Sequence, residues 1–528
     1  MKFATHNTAA QGKFSLREVS NDEGYSLRVI PEGKVSLQKI EAVFEFLFEK
    51  DDALFLNGYQ SWTYSPERSV DEYDKSMKHC PKFADKMFAF SRYGDGFFYP
   101  PRYQKGVLHG YSYAYVRRGD TYFLFASLRE NSGFTRIVFN TNKNEIRLEK
   151  DCEGRVINSE YPALDFLFLK GEENEVFDAY FKALGIKCLP AEKATGYTSW
   201  YNCYQDISAA RIESDLEGLK TLPARPDVFQ IDDGFEQYVG DWLEVDPKKF
   251  PDGTKPIAEK ILAEGYKAGI WLAPFVCEKN SRLFKEHPEY LLKDKDGAPL
   301  CCGSNWSGAF ALDFYNQNLR EYIRQCVETY KEQGFSLFKL DFLYAVCMNP
   351  RPDKTRGEIM EEAMAFLRDV CGDSQILACG VPLAPAFGKA EYCRIGPDVS
   401  LSYDDKAFMR LFHAERPSTR HTMMNTVFRR QLSHRAFLND PDVFILRDDN
   451  TSLSPSQKTA LATVNALFGG VLFASDEFQK YDAKKKEEYR RIISLKNAEN
   501  VKVERKEKHF TLSYRLNGET HTFEFDHR

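Results

Sequence analysis

The sequence predicts a multidomain protein of α/β and β structure, with a central (β/α)8 barrel between an N-terminal β-sandwich and a small C-terminal antiparallel β-domain. Three patterns predict it: alternating polar and apolar runs at the start, short apolar runs that alternate with helical segments in the middle, and hairpin-like runs at the end. The chain has 528 residues, 43% of them hydrophobic, which is enough for several domains and a large core. We place the domains at residues 1–185, 186–496 and 497–528.

The two outer domains show the patterns of antiparallel β-structure. In the N-terminal one, runs such as YSLRVIPEG, AVFEFLFEK, TYFLFASLRE and EIRLEKDCEG alternate in polarity and end at turn residues, as in a sandwich of many strands. At the other end, VKVERKEKHFTLSYRLNGETHTFEFDHR indicates hairpins around the turn residues Asn517 and Gly518.

The middle of the chain contains eight candidate strands that alternate with amphipathic segments. The clearest of these segments, NQNLREYIRQCVETYKEQG, places Leu319, Ile323, Val327 and Tyr330 at helical spacing, with Gly334 as a C-cap. This repeated alternation favours a barrel, and the alternative, a doubly wound sheet, explains less well why polar residues cluster at the strand ends. The candidate strands are GYTSWY, DVFQIDD, KAGIWLAPF, SLFKLDFL, QILACGVP, CRIGPDV, FLNDPDVFIL and VLFASDE.

Composition and charge exclude several classes of function. The net charge of −6 gives no basic surface for nucleic acid or for an anionic membrane, so an uncharged substrate fits better. Aromatic residues make up 14% of the chain, which suits the stacking of sugar rings without proving it. The ten histidines include none that stands in a local pattern with a nucleophile and an acid, and we interpret them as structural or surface residues.

Targeting and metal signals are weak. The first residues, MKFATHNTAAQGKFSL, lack the apolar stretch of a secretory signal, and no apolar run approaches the roughly 20 residues that span a bilayer. The twelve cysteines contain no C-x-x-C pair, and the adjacent Cys301 and Cys302 lack partners at a zinc-like spacing. We therefore expect a cytoplasmic protein with reduced thiols, no metal, and no nucleic-acid or membrane partner.

Polar residues gather at the ends of the second, fourth and sixth candidate strands, which read IDDG, FKLD and RIGPD. Because side chains alternate along a strand, Lys339 and Asp341 share a face, as do Arg394 and Asp398 while that strand stays extended. In a barrel these ends meet at the rim that carries the chemistry of barrel enzymes. Each aspartate alone could be a loop cap or a surface charge, and their collection on one rim is what favours a catalytic site.

Two carboxylates in different surroundings can serve as a nucleophile and an acid. We expect Lys339 to keep Asp341 ionised and Asp398 to carry the proton. Glycoside hydrolysis with retention needs carboxyl groups about 5–5.5 Å apart, and inversion needs about 6.5–9.5 Å. The sequence alone does not measure this separation.

Several longer motifs occur in one order and spacing: FQIDDGFEQYVGDWL, GIWLAPF, EHPEYL, FKLDFLY, LACGVPLAPA, CRIGPDV and LNDPDVFILR. With NGYQSW near residue 57, they resemble the α-galactosidases of glycoside hydrolase family 36 in clan D, in the compact bacterial type. The resemblance extends to about residue 480 and is strongest between 196 and 446. It implies an N-terminal β-supersandwich, a (β/α)8 TIM barrel and a C-terminal β-domain. It also implies hydrolysis of terminal α-galactosyl units of small oligosaccharides with retention, without a cofactor.

The resemblance also implies roles for individual residues. The nucleophile falls on Asp341 and the acid/base on Asp398, and the tandem acids that bind galactose hydroxyls fall on Asp232 and Asp233. Further residues are implied to contact the sugar, as basic groups, as the floor opposite O2, or as an aromatic wall. They are Lys339, Arg394, Cys379, Gly380, Trp200, Tyr201, Trp271 and, reaching over from the β-domain, Trp62.

Alternatives remain open at several of these positions. Trp271 could be barrel core, Trp62 sandwich core, and Cys379 a small buried residue, while the NDPD segment at residues 439–442 could hold a metal or brace a turn. For function, the alternatives are an α-N-acetylgalactosaminidase or a transglycosylase of the same family, and a non-catalytic sugar-binding protein. The sequence leaves the aglycone, the preferred linkage and the oligomeric state undetermined.

Overall fold

The computed structural model describes residues 2–74, 77–99 and 103–527, and it contains the predicted barrel with antiparallel sheets before and after it in the chain. Residues 1 and 528, the outermost residues of the predicted domains, lie outside the described residues. The predicted boundaries fall shortly after the helices that end at Leu184 and Ser494. As domain boundaries they remain predictions.

Within the described residues, the N-terminal part forms two antiparallel sheets that enclose a common apolar core. One sheet has the strand order β1-β4-β11-β10-β7, with β12 beside β4, and the other has the order β2-β3-β13-β9-β8-β5-β6, in the ranges given below. Leu27 and Val29 of the second sheet pack in the same buried cluster as Leu37 and Ile40 of the first, as expected for a sandwich. The strands are Lys2–Gln11 (β1), Phe14–Ser20 (β2), Gly24–Pro31 (β3), Val35–Glu45 (β4), Ala53–Leu56 (β5), Glu67–Arg68 (β6), Val107–Tyr111 (β7), Tyr113–Arg118 (β8), Thr121–Ser127 (β9), Thr135–Asn140 (β10), Glu145–Lys150 (β11), Val156–Ile157 (β12) and Tyr161–Gly171 (β13).

The prediction for this part names strands only, whereas the structure also contains the helices Lys82–Phe88 (α1) and Glu173–Leu184 (α2). The signals for α2 are present in the sequence, because a capping box opens it and Gly185 ends it in the left-handed conformation at φ 68°. Phe177 of α2 packs on the sandwich and Phe181 packs on the barrel. This helix therefore lies between the two parts of the molecule.

The central part is a parallel sheet whose strands alternate with helices, so the predicted barrel is confirmed. Its strands and those of a small antiparallel sheet beside it are Ala194–Thr198 (β14), Val228–Ile231 (β15), Lys267–Leu272 (β16), Val276–Glu278 (β17), Cys301–Gly303 (β18), Ala309–Ala311 (β19), Phe335–Leu340 (β20), Gln375–Ala378 (β21), Tyr392–Arg394 (β22), Leu438–Asp440 (β23), Val443–Phe444 (β24) and Val471–Ala474 (β25). The helices are Trp200–Cys203 (α3), Ala209–Leu219 (α4), Lys255–Ala263 (α5), Arg282–Glu286 (α6), Gln317–Glu332 (α7), Arg356–Cys371 (α8), Leu383–Ala386 (α9), Ala407–Phe412 (α10), Thr419–Phe428 (α11), Pro455–Phe468 (α12) and Ala483–Ser494 (α13). Among the described residues, no helix is long and apolar enough to cross a membrane.

The barrel closes through one interrupted strand. The sheet runs β23-β22-β21-β20-β16-β15-β14-β25-β24, and its two ends, β23 and β24, are the halves of the predicted seventh strand. Pro441 has no N–H to give to a ladder, and Asp442 has φ 70°, so the strand breaks between the halves. The half before the break pairs with β22 and the half after it pairs with β25.

The C-terminal part is a three-stranded antiparallel sheet within the described residues, formed by Glu499–Lys506 (β26), His509–Leu516 (β27) and Glu519–Asp526 (β28). The turn between the last two strands contains Asn517 at φ 52° and Gly518 at φ 87°, as expected for a tight two-residue hairpin.

Arg429 joins the sandwich to the barrel. Its guanidinium is fully buried and donates to Asn57 Oδ1 at 3.0 Å, to the Ser61 carbonyl at 2.7 Å and to Ser65 Oγ at 2.9 Å. It also donates to the carbonyl of Ile395 in the barrel, at 2.8 Å. Among the described residues its hydrogen-bond partners are all neutral, so this cation is held by hydrogen bonds and not by an ion pair. The loop of residues 57–65 is thereby fixed against the barrel rim.

Replacing Arg429 with lysine tests this junction. Lysine carries its donors on one atom and does not reach the same set of acceptors, and each buried acceptor left without a partner costs about 1–3 kcal/mol. We expect Arg429→Lys to lower the free energy of unfolding by roughly 2–4 kcal/mol in urea denaturation. The matched control is Arg435→Lys, because Arg435 pairs with Asp178, whose side chain is 67% exposed, and such pairs contribute about 0–1 kcal/mol. Equal losses in the two variants would contradict the role of Arg429.

Candidate active site

The C-terminal ends of the barrel strands surround a cavity of about 240 Å³. It combines carboxylates, a lysine and several aromatic rings, and it draws residues from both the sandwich and the barrel. The predicted site residues that line it are Trp62, Trp200, Asp232, Asp233, Trp271, Lys339, Asp341 and Asp398. The other predicted site residues are buried behind this lining, and they are Tyr201, Cys379, Gly380 and Arg394.

Asp341 directly follows β20, and each of its carboxylate oxygens accepts a hydrogen bond. Trp271 Nε1 donates to Oδ2 at 3.1 Å, and the backbone N–H of Phe342 donates to Oδ1 at 2.8 Å. Phe342 has φ 54°, a conformation that bulky residues rarely adopt, so the backbone after Asp341 is held in a strained turn. Asp341 is therefore fixed at the floor of the cavity.

The charge state of Asp341 depends on opposing influences. Burial raises the pKa of the Asp341 carboxyl, the Lys339 ammonium lowers it, and the negative charge of Asp398 raises it again, with a net upward shift. The sequence analysis expected Lys339 to keep Asp341 ionised. Lys339 acts in that direction, but on its own it does not outweigh burial. The N–H donors of Trp271 and Phe342 favour the ionised form together with Lys339.

Lys339 pairs directly with Asp232. Its Nζ lies 2.8 Å from Asp232 Oδ2, and both side chains are buried. Gln230 and Thr198 donate to the same oxygen at 2.8 and 3.2 Å. Burial acts to raise the pKa of Asp232, but the ammonium and these hydrogen bonds outweigh it and lower the pKa below the ordinary value. Asp232 and Lys339 thus form a permanently charged pair beside Asp341.

Asp233, the neighbour of Asp232, has different surroundings. Trp306 Nε1 donates to its Oδ2 at 2.9 Å, and Gln205 Nε2 donates to the same oxygen at 3.1 Å. Burial raises the pKa of Asp233, and it raises that of Glu236, which shares a hydrogen bond with Asp233, still further. The Asp233–Glu236 pair therefore holds a proton more readily than Asp232 does.

Arg394 is shared among three carboxylates. Its Nη1 donates to Asp398, its Nε to Asp440 and its Nη2 to Asp442, each at 2.9 Å. The side chain of Asp398 is 35% exposed, whereas those of Arg394, Asp440 and Asp442 are almost fully buried. The NDPD segment therefore binds this arginine, and Arg394 acts on the cavity through Asp398.

Asp442 is the carboxylate of this group whose pKa is raised. Burial, with the charges of Asp398 and Asp440 added and Arg394 opposing them, raises the pKa of Asp442 to about 7. Tyr201 donates its hydroxyl hydrogen to Asp442, so this ring lies behind the cavity and not in the predicted aromatic wall. Among the residues that the structure describes, no group of three or more His, Cys, Asp or Glu side chains is arranged to hold a metal ion.

Trp62 reaches from the sandwich loop into the cavity. It packs with the buried residues of the barrel and not with the sandwich core, and its ring meets Phe342 edge-on at 5.1 Å. Its Nε1 donates to the Sγ of the buried Cys379 at 3.4 Å. Gly380 has φ 57°, and a methyl group there would lie 3.0 Å from both the Trp62 ring and the Phe342 nitrogen, so only glycine fits. Cys379 and Gly380 thus support Trp62 from beneath.

The cavity has further lining residues that the sequence analysis did not name. Trp306 could have been found, because it is one of only five tryptophans and lies in the polar loop SNWSG, where a large aromatic residue indicates a binding role. The other unnamed lining residues lie in irregular segments without periodicity, and His413 was interpreted as a structural or surface histidine. The complete set of lining residues that the sequence analysis did not name is Tyr93, Gln205, Asn305, Trp306, Phe342, His413, Glu415 and Pro417.

This chain is similar to known proteins both in part of its sequence and in its fold. Residues 198–371 match the melibiase family. α-Galactosidase 1 of Pediococcus pentosaceus is 26% identical over 182 residues, which are 32% of this chain and 24% of that protein. The chain therefore matches about a quarter of the length of that relative.

Solved structures resemble the chain over nearly its whole length. TtGalA, the α-galactosidase from Thermus thermophilus, has a TM-score of 0.76 and 24% identity and covers 98% of each chain in its complex with p-nitrophenyl α-D-galactopyranoside. In its complex with stachyose it has a TM-score of 0.73 and 25% identity over 93% of this chain and 99% of that one. The family 36 α-galactosidase AgaA from Geobacillus stearothermophilus has a TM-score of 0.61 and 10% identity, over 98% of this chain and 77% of its own. Residues 198–371 of the chain thus match the melibiase family, and the chain as a whole shares the fold of these α-galactosidases.

Proposed function

We propose that the chain is an exo-acting α-galactosidase that hydrolyses terminal α-galactosyl units of small oligosaccharides with retention of configuration. The observation that carries the proposal is the presence of Asp341 and Asp398 in one cavity, where the first is buried at the floor and the second is partly open to solvent. The Thermus relative has been solved with p-nitrophenyl α-D-galactopyranoside and with stachyose, both of which are α-galactosides. These complexes support the same substrate class here.

The two carboxylates divide the reaction between them. A carboxylate oxygen of Asp341 forms a bond to the anomeric carbon while the bond to the leaving oxygen breaks, and Asp398 gives its proton to that oxygen. In the second step Asp398 takes a proton from water, and the water oxygen displaces Asp341 from the sugar, which restores the α configuration. Arg394 binds Asp398 together with Asp440 and Asp442, and burial raises the pKa of Asp442 to about 7, so Asp442 can hold a proton at neutral pH.

The floor of the cavity offers charged partners for hydroxyl groups. Asp232 and Lys339 present an acceptor and a donor side by side, and Asp233 lies next to them with Trp306. Charge-assisted hydrogen bonds are about twice as strong as neutral ones, which suits the recognition of vicinal hydroxyls. The family resemblance implies that Cys379 and Gly380 lie opposite O2, and Trp62 packs closely on both residues. This packing favours a plain hydroxyl at C2 over an acetamido group.

We also propose that the enzyme needs no cofactor and acts in the cytoplasm. Displacement by one carboxylate and proton transfer by the other account for both steps without a metal. Among the described residues the cysteines are free thiols, many of them buried, as is usual in a reducing compartment.

Asp233 provides a test of hydroxyl binding. Asp233→Asn keeps the shape of the side chain but weakens its charge-assisted hydrogen bonds, so kcat/KM on p-nitrophenyl α-galactoside should fall by roughly two orders of magnitude, about 2.7 kcal/mol. The control is Glu236→Gln, because Glu236 shares the proton of Asp233 but does not line the cavity. Its effect should be clearly smaller, and an Asp233→Asn enzyme with unchanged kcat/KM would remove Asp233 from the site.

Azide separates the roles of the two catalytic carboxylates. In Asp398→Gly the nucleophile remains, so azide should restore turnover of an activated aryl α-galactoside and attack the β-linked intermediate to give the α-galactosyl azide. In Asp341→Gly azide should attack the substrate directly and give the β-azide. The anomer is read by NMR of the product.

Opposite anomers would mean that the two roles are exchanged. Full activity of both variants without azide would mean that neither residue is catalytic. In Asp398→Gly, poor leaving groups should suffer far more than activated aryl groups, because an aryl oxygen departs without protonation.

A further inference from the structure

His413 is a buried side chain whose polar atoms have no partner. It lines the cavity, is 7% exposed, and packs against the rings of Phe90 and Tyr93, 5.1 and 5.0 Å away. Neither Nδ1 nor Nε2 has a hydrogen-bond partner among the described residues. Burial, with the charge of Arg416 added, lowers the pKa of His413 to about 3, so the ring is neutral and offers one donor and one acceptor.

Glu415 lies two residues further along the same segment and also lines the cavity. It is buried and accepts a hydrogen bond from Thr63 Oγ1 at 3.2 Å. A methyl group at Gly94 would overlap its carboxylate, so the chain makes room for this side chain by having glycine there. Burial, with the charges of Asp95 and Asp74 added, raises the pKa of Glu415 to about 8. At neutral pH its carboxyl group is therefore a hydrogen-bond donor as well as an acceptor.

The position of this segment relates it to the leaving group. The N–H of Ser418, directly after Pro417 of the lining, donates to the backbone carbonyl of Asp398 at 2.8 Å. His413 and Glu415 therefore belong to a lining segment that is joined to the backbone of Asp398. The acid that protonates the leaving oxygen must lie beside the leaving group, so this segment borders the part of the substrate that departs.

We propose that His413 and Glu415 form a leaving-group subsite that binds the hydroxyl groups of a departing sugar, so that the preferred substrates are α-galactosides of sugars and not of apolar or aromatic alcohols. This inference rests on the proposed α-galactosidase activity and adds the substrate class of its leaving group. A buried donor or acceptor without a partner costs about 1–3 kcal/mol, and a ligand hydroxyl supplies both kinds of partner at once. An aryl group has no hydrogen to donate to the acceptor nitrogen of the ring, and it leaves that atom unpaired.

The same subsite should select the acceptor in the second step. After the first sugar leaves, water or another sugar occupies the same place and attacks the galactosyl bond to Asp341. A sugar held by His413 and Glu415 then competes with water as the acceptor. The balance between transfer and hydrolysis therefore reports on this subsite independently of how the intermediate was formed.

The test compares two leaving groups in matched variants. His413→Phe keeps an aromatic ring against Phe90 and Tyr93 but removes both nitrogens, and Glu415→Met keeps the length of the side chain without its polar atoms. Each variant is assayed on raffinose, which releases sucrose, and on p-nitrophenyl α-galactoside. For each variant, kcat/KM on raffinose should fall roughly tenfold more than on the aryl substrate. The control is His521→Phe in the C-terminal sheet, outside the cavity, which should change neither value.

A second readout uses p-nitrophenyl α-galactoside as donor and sucrose as acceptor. The ratio of transfer product to free galactose should fall by a similar factor in His413→Phe. Equal losses on raffinose and the aryl substrate, no loss on either, or an unchanged transfer ratio would overturn the subsite while leaving the proposed activity intact. If the unaltered protein hydrolyses neither substrate, the proposed function itself fails.

Discussion

The guanidinium of Arg394 is the interaction on which both the closure of the barrel and its chemistry depend. Arg394 ends β22 and binds Asp440 in β23 and Asp442 in the break before β24, so one buried cation spans both sides of the interrupted strand. Its Nη1 donates a hydrogen bond to Asp398. Without this cation, buried carboxylates would face one another at a point where the sheet has no continuous ladder, which is strongly unfavourable. Arg394 thus stabilises the interrupted strand, because it pairs with a carboxylate before the break and with one in the break.

A second arginine, Arg429, determines where the sandwich loop meets the barrel. Arg429 fixes the loop of residues 57–65 on the barrel, and Trp62 from that loop then packs on Phe342 and Gly380. Phe342 follows Asp341 directly, so the backbone conformation at Asp341 and the position of the sandwich loop are coupled through the contact between Trp62 and Phe342. The cavity is therefore a product of the docking of the two parts, and neither part encloses it alone.

The chain pattern predicts those parts of the site that regular structure positions. Asp341 and Asp398 follow barrel strands, and alternation along a strand with the common rim of a barrel is enough to bring them together. Helix α2 was also predictable, since its capping box and Gly185 are visible in the sequence, but the surrounding strand pattern hid it. Strand alternation does not predict that Trp200 lines the cavity while Tyr201 lies behind it. The turn after β14 directs one ring to the cavity and the other to Asp442.

Residues in irregular segments carry no such signal. His413 and Glu415 follow α10 in a stretch without periodicity, and their burial results from contacts with Phe90, Gly94 and Thr63, more than 300 positions away in the sequence. Local sequence describes them as a polar histidine and glutamate that would normally be solvated. Only the docking of the sandwich on the barrel removes them from water, and that is a tertiary effect.

The polar groups that line the cavity differ in burial and in charge pairing, and these differences suit the proposed double displacement. At the floor, Asp232 and Lys339 are charged and paired, and Asp341 accepts two N–H donors, so this end is preorganised for a sugar whose position does not change during the reaction. On the Asp398 side, His413 is neutral and Glu415 holds its proton, while Asp398 itself is 35% exposed. Neutral groups release a departing sugar more easily than charged ones, because their hydrogen bonds are weaker. In the proposed reaction, the exposed side chain of Asp398 can exchange a proton with solvent between the two steps. Tight binding at one end and exchange at the other thus follow from where each group is buried and whether its charge is paired.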